Sequence, residues 1–99
     1  MKYLFVYYSS GEPLATEDQL KNRSAWHSWN TNLNETYGIH TAEGAKVVAP
    51  DKSVSDYTGT LKGVSIIDAD SLDEAVEKAK LSPSVQFGGH VEVFAEYER

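Results

Sequence analysis

The chain is short, acidic and free of cysteine, and these properties narrow its possible functions. It has 99 residues, 40% of them hydrophobic, and a formal net charge of −6. Such a length indicates one domain with one core, residues 1–99, and so small a domain often gains stability by oligomerising. The acidity argues against a nucleic-acid partner, which needs a basic patch. The absence of cysteine excludes disulfides, thiolate nucleophiles and zinc–thiolate sites.

The sequence shows no sign of a membrane segment or a leader peptide. No apolar run approaches the roughly 20 residues of a membrane span. The start, MKYLFVYYSS, lacks the long apolar region and the small-residue cleavage site of a signal peptide. We therefore expect a cytoplasmic protein with no membrane partner and no cofactor, and the lack of disulfides agrees with a reducing compartment.

The first part of the chain predicts a strand followed by a helix. Tyr3 to Tyr8 is apolar on both alternating faces, which is typical of a central strand. Thr16 and Gln19 form a capping-box pattern at the start of the helix. We expect the helix to end at Gly38, a natural C-terminal stop. Its single apolar stripe consists of Trp26, Trp29, Leu33 and Tyr37.

The middle of the chain predicts one weak and one strong strand. Glu43 to Ala49 has β character and is predicted to be the second strand of the sheet. Asp51 to Gly59 is polar and rich in turn residues. Leu61 to Ala69 is strongly apolar on both faces, so it resembles the first strand and is predicted to be central.

The last part predicts a well-capped helix and a final strand. Ser71 and Glu74 form a second capping box, and Leu72, Ala75, Val76 and Ala79 follow the i, i+3, i+4, i+7 pattern of an amphipathic helix. Gly88 and Gly89 then turn the chain into a strand from Val91 to Tyr97, where apolar and polar residues alternate.

The order β-α-β-β-α-β predicts an α+β, ferredoxin-like fold. In that fold two helices cover one face of a four-stranded antiparallel sheet, and the first and third strands lie in the middle. We assign Tyr3, Phe5, Tyr7 and Phe94 to the opposite, helix-free face. Because so apolar a face is unusual on a monomer, we expect a second copy to cover it in a homodimer.

The chain resembles the YCII-related family, in particular its DGPF-type branch, which belongs to the dimeric α/β-barrel superfamily. The matching segments are MKYLFVYY, W-x-x-W-x-x-x-L from Trp26 to Leu33, GAKVVAPDKSVS from Gly44, IIDADSLDEAVEKAKLSP from Ile66, and GGHVEV from Gly88. The resemblance implies a dimeric barrel. The Asp-Gly-Pro-Phe tetrapeptide that names the branch is missing, since the chain has SDYTGT from Ser55 to Thr60. A pocket formed by that segment in relatives would be remodelled.

Three histidines are candidates for chemistry. The resemblance implies a His/Asp pair for proton transfer, and His27 is the nearest match to its histidine, but no aspartate stands at a convincing partner position. His90 follows the Gly-Gly turn, and we predict that it borders a pocket close to Tyr7, Tyr8 and the following loop. His40 is predicted to be an exposed loop residue. The spacing of the three matches no metal-binding motif, so no metal site is predicted.

Two other sets of residues are candidates for ligand binding. Tyr3, Phe5 and Tyr7 would offer aromatic walls and two hydroxyls, although an inter-subunit core is the favoured explanation and the two roles can coexist. Asp56 and Tyr57 lie in the segment that lacks the DGPF motif, where they either cap a pocket or form a polar turn.

Two classes of function remain open from the sequence. The first is a homodimeric interaction or assembly module in which the aromatic face is only a dimer core. The second is a small-molecule-binding protein or enzyme with acid/base chemistry by His90 or His27 in a pocket between the sheet and the loops. The missing DGPF motif and the missing acid favour the first, whereas a pocket with convergent polar groups would favour the second.

Overall fold

A computed structural model describes residues 1–33 and 35–98 of the chain. Its strands and helices are, in chain order, β1 (Lys2–Tyr8), α1 (Thr16–Asn32), β2 (Glu35–His40), β3 (Lys46–Val48), β4 (Val54–Asp56), β5 (Leu61–Asp68), α2 (Leu72–Ala79), α3 (Pro83–Gln86) and β6 (His90–Ala95). No helix in the described ranges has the length and apolar character needed to cross a membrane.

Four strands form one antiparallel sheet in the order β2-β5-β1-β6. In its centre, Phe5 of β1 lies opposite Ser65 of β5 on one side and Val93 of β6 on the other. The two strands that are apolar on both faces are therefore the central ones, as the sequence predicts, because only central strands are shielded along both edges and both faces. The mixed α+β class is confirmed.

The core lies between this sheet and the helices, and it contains the three aromatic residues that the sequence analysis assigns to the other face. Tyr3, Phe5 and Tyr7 are 2%, 0% and 2% exposed, and they pack with Ala75 and Ala79 of α2. Trp26, Trp29, Leu33, Val91 and Val93 pack against this cluster from its margins. The assignment of Tyr3, Phe5 and Tyr7 to the helix-free face is wrong. Both faces of β1 are apolar, so alternation alone does not show which face the helices cover.

The helix-free face is formed by the other set of alternating residues. Leu4 of β1 lies opposite Ile66 of β5 and Phe94 of β6, and Ile66 lies opposite Tyr37 of β2. Tyr37, Ile39 and Phe94 remain 56%, 47% and 49% exposed. The assignment of Phe94 to this face is thus correct. The face has an apolar part, as the sequence predicts, although Leu4, Ile66 and Tyr37 form it in place of Tyr3, Phe5 and Tyr7.

Helix α1 ends earlier than predicted, and the residues after it form an edge strand. The helix stops at Asn32, and the N–H of Leu33 donates to the carbonyl of Trp29 at 2.7 Å. Gly38 lies within β2 and is not a helix stop, and Tyr37 does not continue the tryptophan stripe. The predicted helix also includes Asn34, which lies outside the described residues. Polar residues such as Asn and Thr weaken the end of the helix, while β-branched and aromatic residues favour the strand that follows.

The weak strand predicted at Glu43 to Ala49 exists only as β3, and it is not part of the main sheet. It pairs with β4 in a separate two-stranded ribbon in which Val48 lies opposite Val54. Lys46 forms an ion pair with Asp56 across this ribbon. The second strand of the sheet is β2 instead. A β-rich segment of sequence cannot by itself show which sheet it joins.

The two long helices begin differently. At α2, the Ser71 hydroxyl accepts from the N–H of Glu74, so the predicted cap is present. The Glu74 carboxylate accepts from the N–H of Asp70, which lowers the pKa of Glu74, and Lys78 lowers it further. At α1, the residue before the helix is Ala15 and no side chain caps it, so the capping box predicted there is wrong.

Candidate functional site

An open cavity of about 730 Å³ lies at the end of the sheet where β1 and β2 finish and β5 begins. We call it the loop cavity. Its walls are Ser9, Ser10, Gly11, Glu12, Pro13, Leu14, Asn22, Trp26, His40, Thr41, Thr58, Gly59, Thr60, Lys62, Pro83, Ser84 and Phe87. Backbone hydrogen bonds fix its floor, with Ser9 N–H donating to the Thr60 carbonyl and Thr41 N–H donating to the Lys62 carbonyl, both at 2.9 Å. The polar wall is therefore built on rigid sheet ends.

His40 is the histidine that lines this cavity. It is the last residue of β2, and Asn30 at the end of α1 places its amide nitrogen 3.2 Å from the imidazole Nε2. Because an amide nitrogen only donates, this contact is a hydrogen bond in the tautomer whose Nε2 is free to accept. The imidazole also lies edge-on to Trp26, with ring centroids 5.8 Å apart. Two neighbours thus hold the ring in one orientation, which proton transfer to a bound molecule requires.

Trp26 connects the cavity to the core. Its ring packs edge-on against Tyr7 with a centroid distance of 5.0 Å, and it also makes the edge-on contact with His40. The Tyr7 hydroxyl donates to Ser65 Oγ at 2.9 Å and accepts from Trp29 Nε1 at 3.1 Å. A buried, hydrogen-bonded network of this kind is rigid because each member would lose its partner if another moved.

Lys62 reaches the cavity through an irregularity of β5. The pairing passes from Tyr7 opposite Gly63 to Tyr8 opposite Leu61, so Lys62 is the extra residue of a β-bulge. A bulge interrupts the alternation of side chains and redirects the residue that it adds, and bulges are frequent beside functional sites. Lys62 therefore lines the loop cavity, as does His40 from the neighbouring strand, which lies opposite Gly63.

The structure brings His90 to Tyr8 but not to Tyr7. His90 lies opposite Tyr8 in the sheet, and their rings stack with centroids 4.5 Å apart. The Tyr8 hydroxyl donates to the Glu92 carboxylate at 2.7 Å, which raises the pKa of Tyr8. This group lies on the helix-free face, whereas the Tyr7 hydroxyl is buried beneath the helices. The expected convergence of two tyrosine hydroxyls on His90 does not occur, and a role for His90 stays a prediction.

The remaining candidate residues are spread over the molecule. The side chains of Tyr3 and Phe5 are buried in the core and do not line the loop cavity, although Tyr3 borders a separate cavity of about 450 Å³ beside Leu4 and Phe94. His27 is exposed on α1 and does not line the loop cavity. Asp56 forms an ion pair with Lys46 across the two-stranded ribbon. Tyr57 lines a neighbouring cavity of about 590 Å³, and its hydroxyl accepts from the N–H of Leu61 at 3.3 Å.

Sequence reasoning missed His40, Lys62 and Trp26 as members of one site. Because it extends the helix to Gly38, it predicts that His40 is an exposed loop residue. The predicted exposure is correct, but the predicted loop is wrong, since His40 is the last residue of β2. Assigning Thr36 to His40 to a strand parallel to β1 would have placed His40 at the sheet end where the chain leaves β1, next to Ser9 and Ser10. The bulge at Lys62 has one signal in the sequence, the neighbouring Gly63, since a glycine inside a strand often marks a bulge or a close approach of another backbone.

The described residues contain no group of three His, Asp or Glu side chains positioned to hold a metal ion. The chemistry that the loop cavity itself provides is that of an imidazole, an ammonium group and several hydroxyls beside an indole. The fold and site thus define a small α+β protein with an open, mixed polar and aromatic cavity at the end of its sheet.

Comparison with known families agrees with this description. The family described as YCII-related domain matches residues 1–97 of the chain, so the chain belongs to that family. No curated protein matches the chain.

A solved structure with the same fold is the 5-chloro-2-hydroxyhydroquinone dehydrochlorinase of Burkholderia phenoliruptrix in complex with 2,5-dihydroxybenzoquinone. The match has a TM-score of 0.64 and 19% sequence identity, and it covers 100% of this chain and 96% of that one. At this level of identity the likeness shows the shared fold alone.

Proposed function

We propose that the protein binds a small molecule in the loop cavity and that His40 exchanges protons with it there. The observation that carries this proposal is the convergence of His40, Lys62 and Trp26 on one cavity of about 730 Å³. That volume lies within the range of ordinary ligand pockets, and the polar groups are few and held in place. A cavity with converging polar groups favours the second function class of the sequence analysis, the small-molecule-binding protein or enzyme. His40 takes the role that the sequence analysis gave to His90 or His27.

Other features of the molecule support an enzymatic role. His40 is oriented by Asn30 and Trp26, and an imidazole is the side chain whose ordinary pKa is best suited to acid/base work near neutral pH. The dehydrochlorinase with the same fold is an enzyme whose structure holds a small quinone. A reaction that moves a proton on a small unsaturated molecule fits both facts.

The test is a nuclear magnetic resonance screen of small polar and aromatic compounds at millimolar concentration. Binding in the loop cavity is expected to shift the amide signals of Ser10, His40 and Lys62 together. Ser10→Trp, which adds a large ring to the cavity wall, should abolish these shifts, whereas Ser55→Trp on β4, which does not line the cavity, should not. Compounds that bind equally well to both variants, or a screen in which no lining residue responds, would refute the proposal.

The role of His40 is tested separately on any compound that binds. In deuterated solvent, a bound molecule with an acidic C–H should exchange that hydrogen faster with the protein than without it. His40→Gln should remove this acceleration while His27→Gln and His90→Gln retain it. If His90→Gln or His27→Gln is instead the variant that loses it, the acid/base role belongs to that histidine.

We also propose that the protein is a homodimer joined through its helix-free face in a dimeric α/β barrel built from two ferredoxin-like sheets. The exposed side chains of Tyr37, Ile39 and Phe94, with Leu4 and Ile66 between them, support this. Exposed apolar surface of this kind marks interaction sites. The dimer would serve assembly alone or would accompany ligand binding, so the two function classes are compatible.

Light scattering over a dilution series measures the assembly. We expect a dimer at micromolar concentration, and we expect Phe94→Glu to dissociate it. Leu20→Glu is the matched control, because Leu20 is 64% exposed on α1, outside the helix-free face. A folded wild-type monomer at micromolar concentration would refute the dimer, and dissociation by Leu20→Glu would place the interface elsewhere.

A further inference from the structure

Among the described residues, Lys62 is a cation without a carboxylate partner in an acidic protein. The chain has 15 acidic and 9 basic residues, and Lys2, Lys46, Lys78 and Lys80 each pair with a carboxylate, whereas Lys62 has none within ion-pair distance. Lys21, Arg23 and Lys52 likewise have no carboxylate within ion-pair distance in the described part of the chain, but none of them lines the loop cavity. Lys62 is therefore the positive charge that a molecule in the cavity meets.

The β-bulge in β5 determines the position of Lys62 in the cavity wall. Without the extra residue, the alternation of β5 would leave Lys62 on the same face as Val64 and Ile66. The bulge breaks that alternation, and the Lys62 carbonyl is fixed by the Thr41 N–H at 2.9 Å. The lysine stem is thus anchored at a defined point of the cavity wall although its head is exposed.

Two hydroxyl groups of the same cavity are arranged as donors. Ser9 Oγ accepts from the N–H of Gly11 at 3.3 Å, and Ser10 Oγ accepts from the N–H of Glu12 at 3.1 Å. A hydroxyl that accepts from the backbone still has its own proton to donate. Two hydroxyl donors and the Lys62 ammonium therefore line the same space, and this combination suits a carboxylate oxygen better than a neutral group.

The rest of the cavity wall suits a ligand in which the carboxylate is attached to a flat, apolar ring. Trp26 and Phe87 line the cavity, and the Trp26 ring makes edge-on contacts with Tyr7 and His40. Aromatic side chains bury planar rings well and bring no charge that would compete with Lys62. Glu12 is the one acidic group that the described lining contains, and it opposes an anion.

From these observations we propose that the loop cavity is selective for a small aromatic carboxylate and that Lys62 is the residue that determines this selectivity. The inference rests on the proposed function, since it names the ligand class for the same cavity. Lys62 and the two serine hydroxyls bind the carboxylate, Trp26 and Phe87 contact the ring, and His40 lies beside it as the proton-exchanging group.

The experiment compares benzoate with its neutral isostere benzamide by nuclear magnetic resonance titration of the wild-type protein. We expect benzoate to bind about tenfold more tightly, the difference that a hydrogen bond to a charged group makes. The benzoate affinity should fall as salt is raised, and the benzamide affinity should not. Equal affinities for the two compounds, or no binding of benzoate at about 10 mM (near the weakest affinity such a titration detects), would overturn the inference.

Variants assign the selectivity to one residue. Lys62→Met should bring the two affinities to within about twofold of each other, and Lys62→Arg should keep the preference for benzoate. The matched control is Lys21→Met, which removes the same charge from the protein without changing the cavity. Glu12→Gln should tighten benzoate binding. Selectivity that survives Lys62→Met would contradict the assignment.

The failures of the two proposals are distinguishable. If benzamide or another neutral compound shifts the signals of the lining residues and benzoate gives no advantage, ligand binding in the cavity stands and the carboxylate inference fails. If no compound shifts those signals, both fail. The wild-type comparison and its salt dependence decide between these outcomes even where a variant does not fold.

Discussion

The two halves of the helix-covered face differ in how a helix meets the sheet, α2 on one side of that face and α1 on the other. On one side, α2 presents two small residues, Ala75 and Ala79, which are 0% and 6% exposed and let the helix pack closely on Tyr3, Phe5 and Tyr7. On the other side, the 17 residues of α1 include none that is buried, and the helix contacts the core through the partly buried Trp26 and Trp29. Side-chain size at the contact sets the distance between packed elements.

This difference explains where the cavities lie. The loop cavity borders α1 at Asn22 and Trp26, and a second cavity of about 480 Å³ borders the same helix at Ala25, Ser28 and Trp29. Bulky aromatic residues hold α1 away from its neighbours and leave space on both flanks. The closely packed side therefore supports the fold, and the loosely packed side holds the candidate site.

The largest expected effect is at the centre of the closely packed side. Phe5→Ala should lower the free energy of unfolding by about 3–5 kcal/mol, because it deletes a fully buried ring and leaves a cavity. Urea denaturation measures this. A loss of stability below about 1 kcal/mol would show that the core relaxes around Phe5, and it would contradict the close packing inferred for the half of the molecule beneath α2.

Adding volume should affect the two helices unequally. Ala75→Leu should destabilise the protein by about 1–3 kcal/mol, because Ala75 is completely buried and a larger side chain would overpack the core. Ala25→Leu, on the flank of α1 beside the second cavity, should change stability by less than about 0.5 kcal/mol. Urea denaturation of the pair gives the contrast directly. Equal losses of stability in the two variants would mean that α1 is packed as closely as α2.

The hydrogen bond from Trp29 to Tyr7 should be measurable by comparison of the two tryptophans. Trp29→Phe removes the indole donor to the Tyr7 hydroxyl, whereas Trp26→Phe removes a ring of the same size that contacts Tyr7 edge-on. We expect Trp29→Phe to lower the free energy of unfolding by about 1 kcal/mol more than Trp26→Phe does, as measured by thermal or urea unfolding. If Trp26→Phe is the more costly change, the contacts of Trp26 outweigh that hydrogen bond.

The smallest expected effect concerns the capped start of α2 and depends on pH. The Asp70 N–H and Lys78 lower the pKa of Glu74, so the folded state binds its proton less readily than the unfolded chain does. The stabilisation is therefore present above the ordinary glutamate pKa of 4.5 and is lost as the pH falls through the lowered value.

Glu74→Gln should be less stable than the wild type at pH 7, and the difference should shrink as the pH is lowered toward about 3, since protonation removes the carboxylate that Gln lacks. Urea denaturation at several pH values measures the difference. Glu77→Gln, on an exposed ion pair of the same helix, is the control. A difference that stays constant with pH would show that the Glu74 carboxylate makes no ionic contribution to the cap.

The sequence by itself determined the elements whose signals are local. The capping box at Ser71 with the spacing of Ala75 and Ala79 predicted α2, and the apolar runs of β1 and β5 predicted two central strands, because these features depend on neighbouring residues alone. The family resemblance was also carried by these segments and is confirmed by the match over residues 1–97.

Only the tertiary structure decided which face of β1 the helices cover, where α1 gives way to β2, and which residues share the cavity. Both faces of β1 are apolar, so burial of Phe5 over Leu4 depends on where α2 docks. The segment at Tyr37 continues a helical stripe in sequence and becomes a strand because β5 offers it an edge with unpaired backbone groups. His40 and Lys62 line the same cavity because β2 pairs with β5 and a bulge in β5 precedes that pairing. The pairing joins distant parts of the chain and is not a property of local sequence.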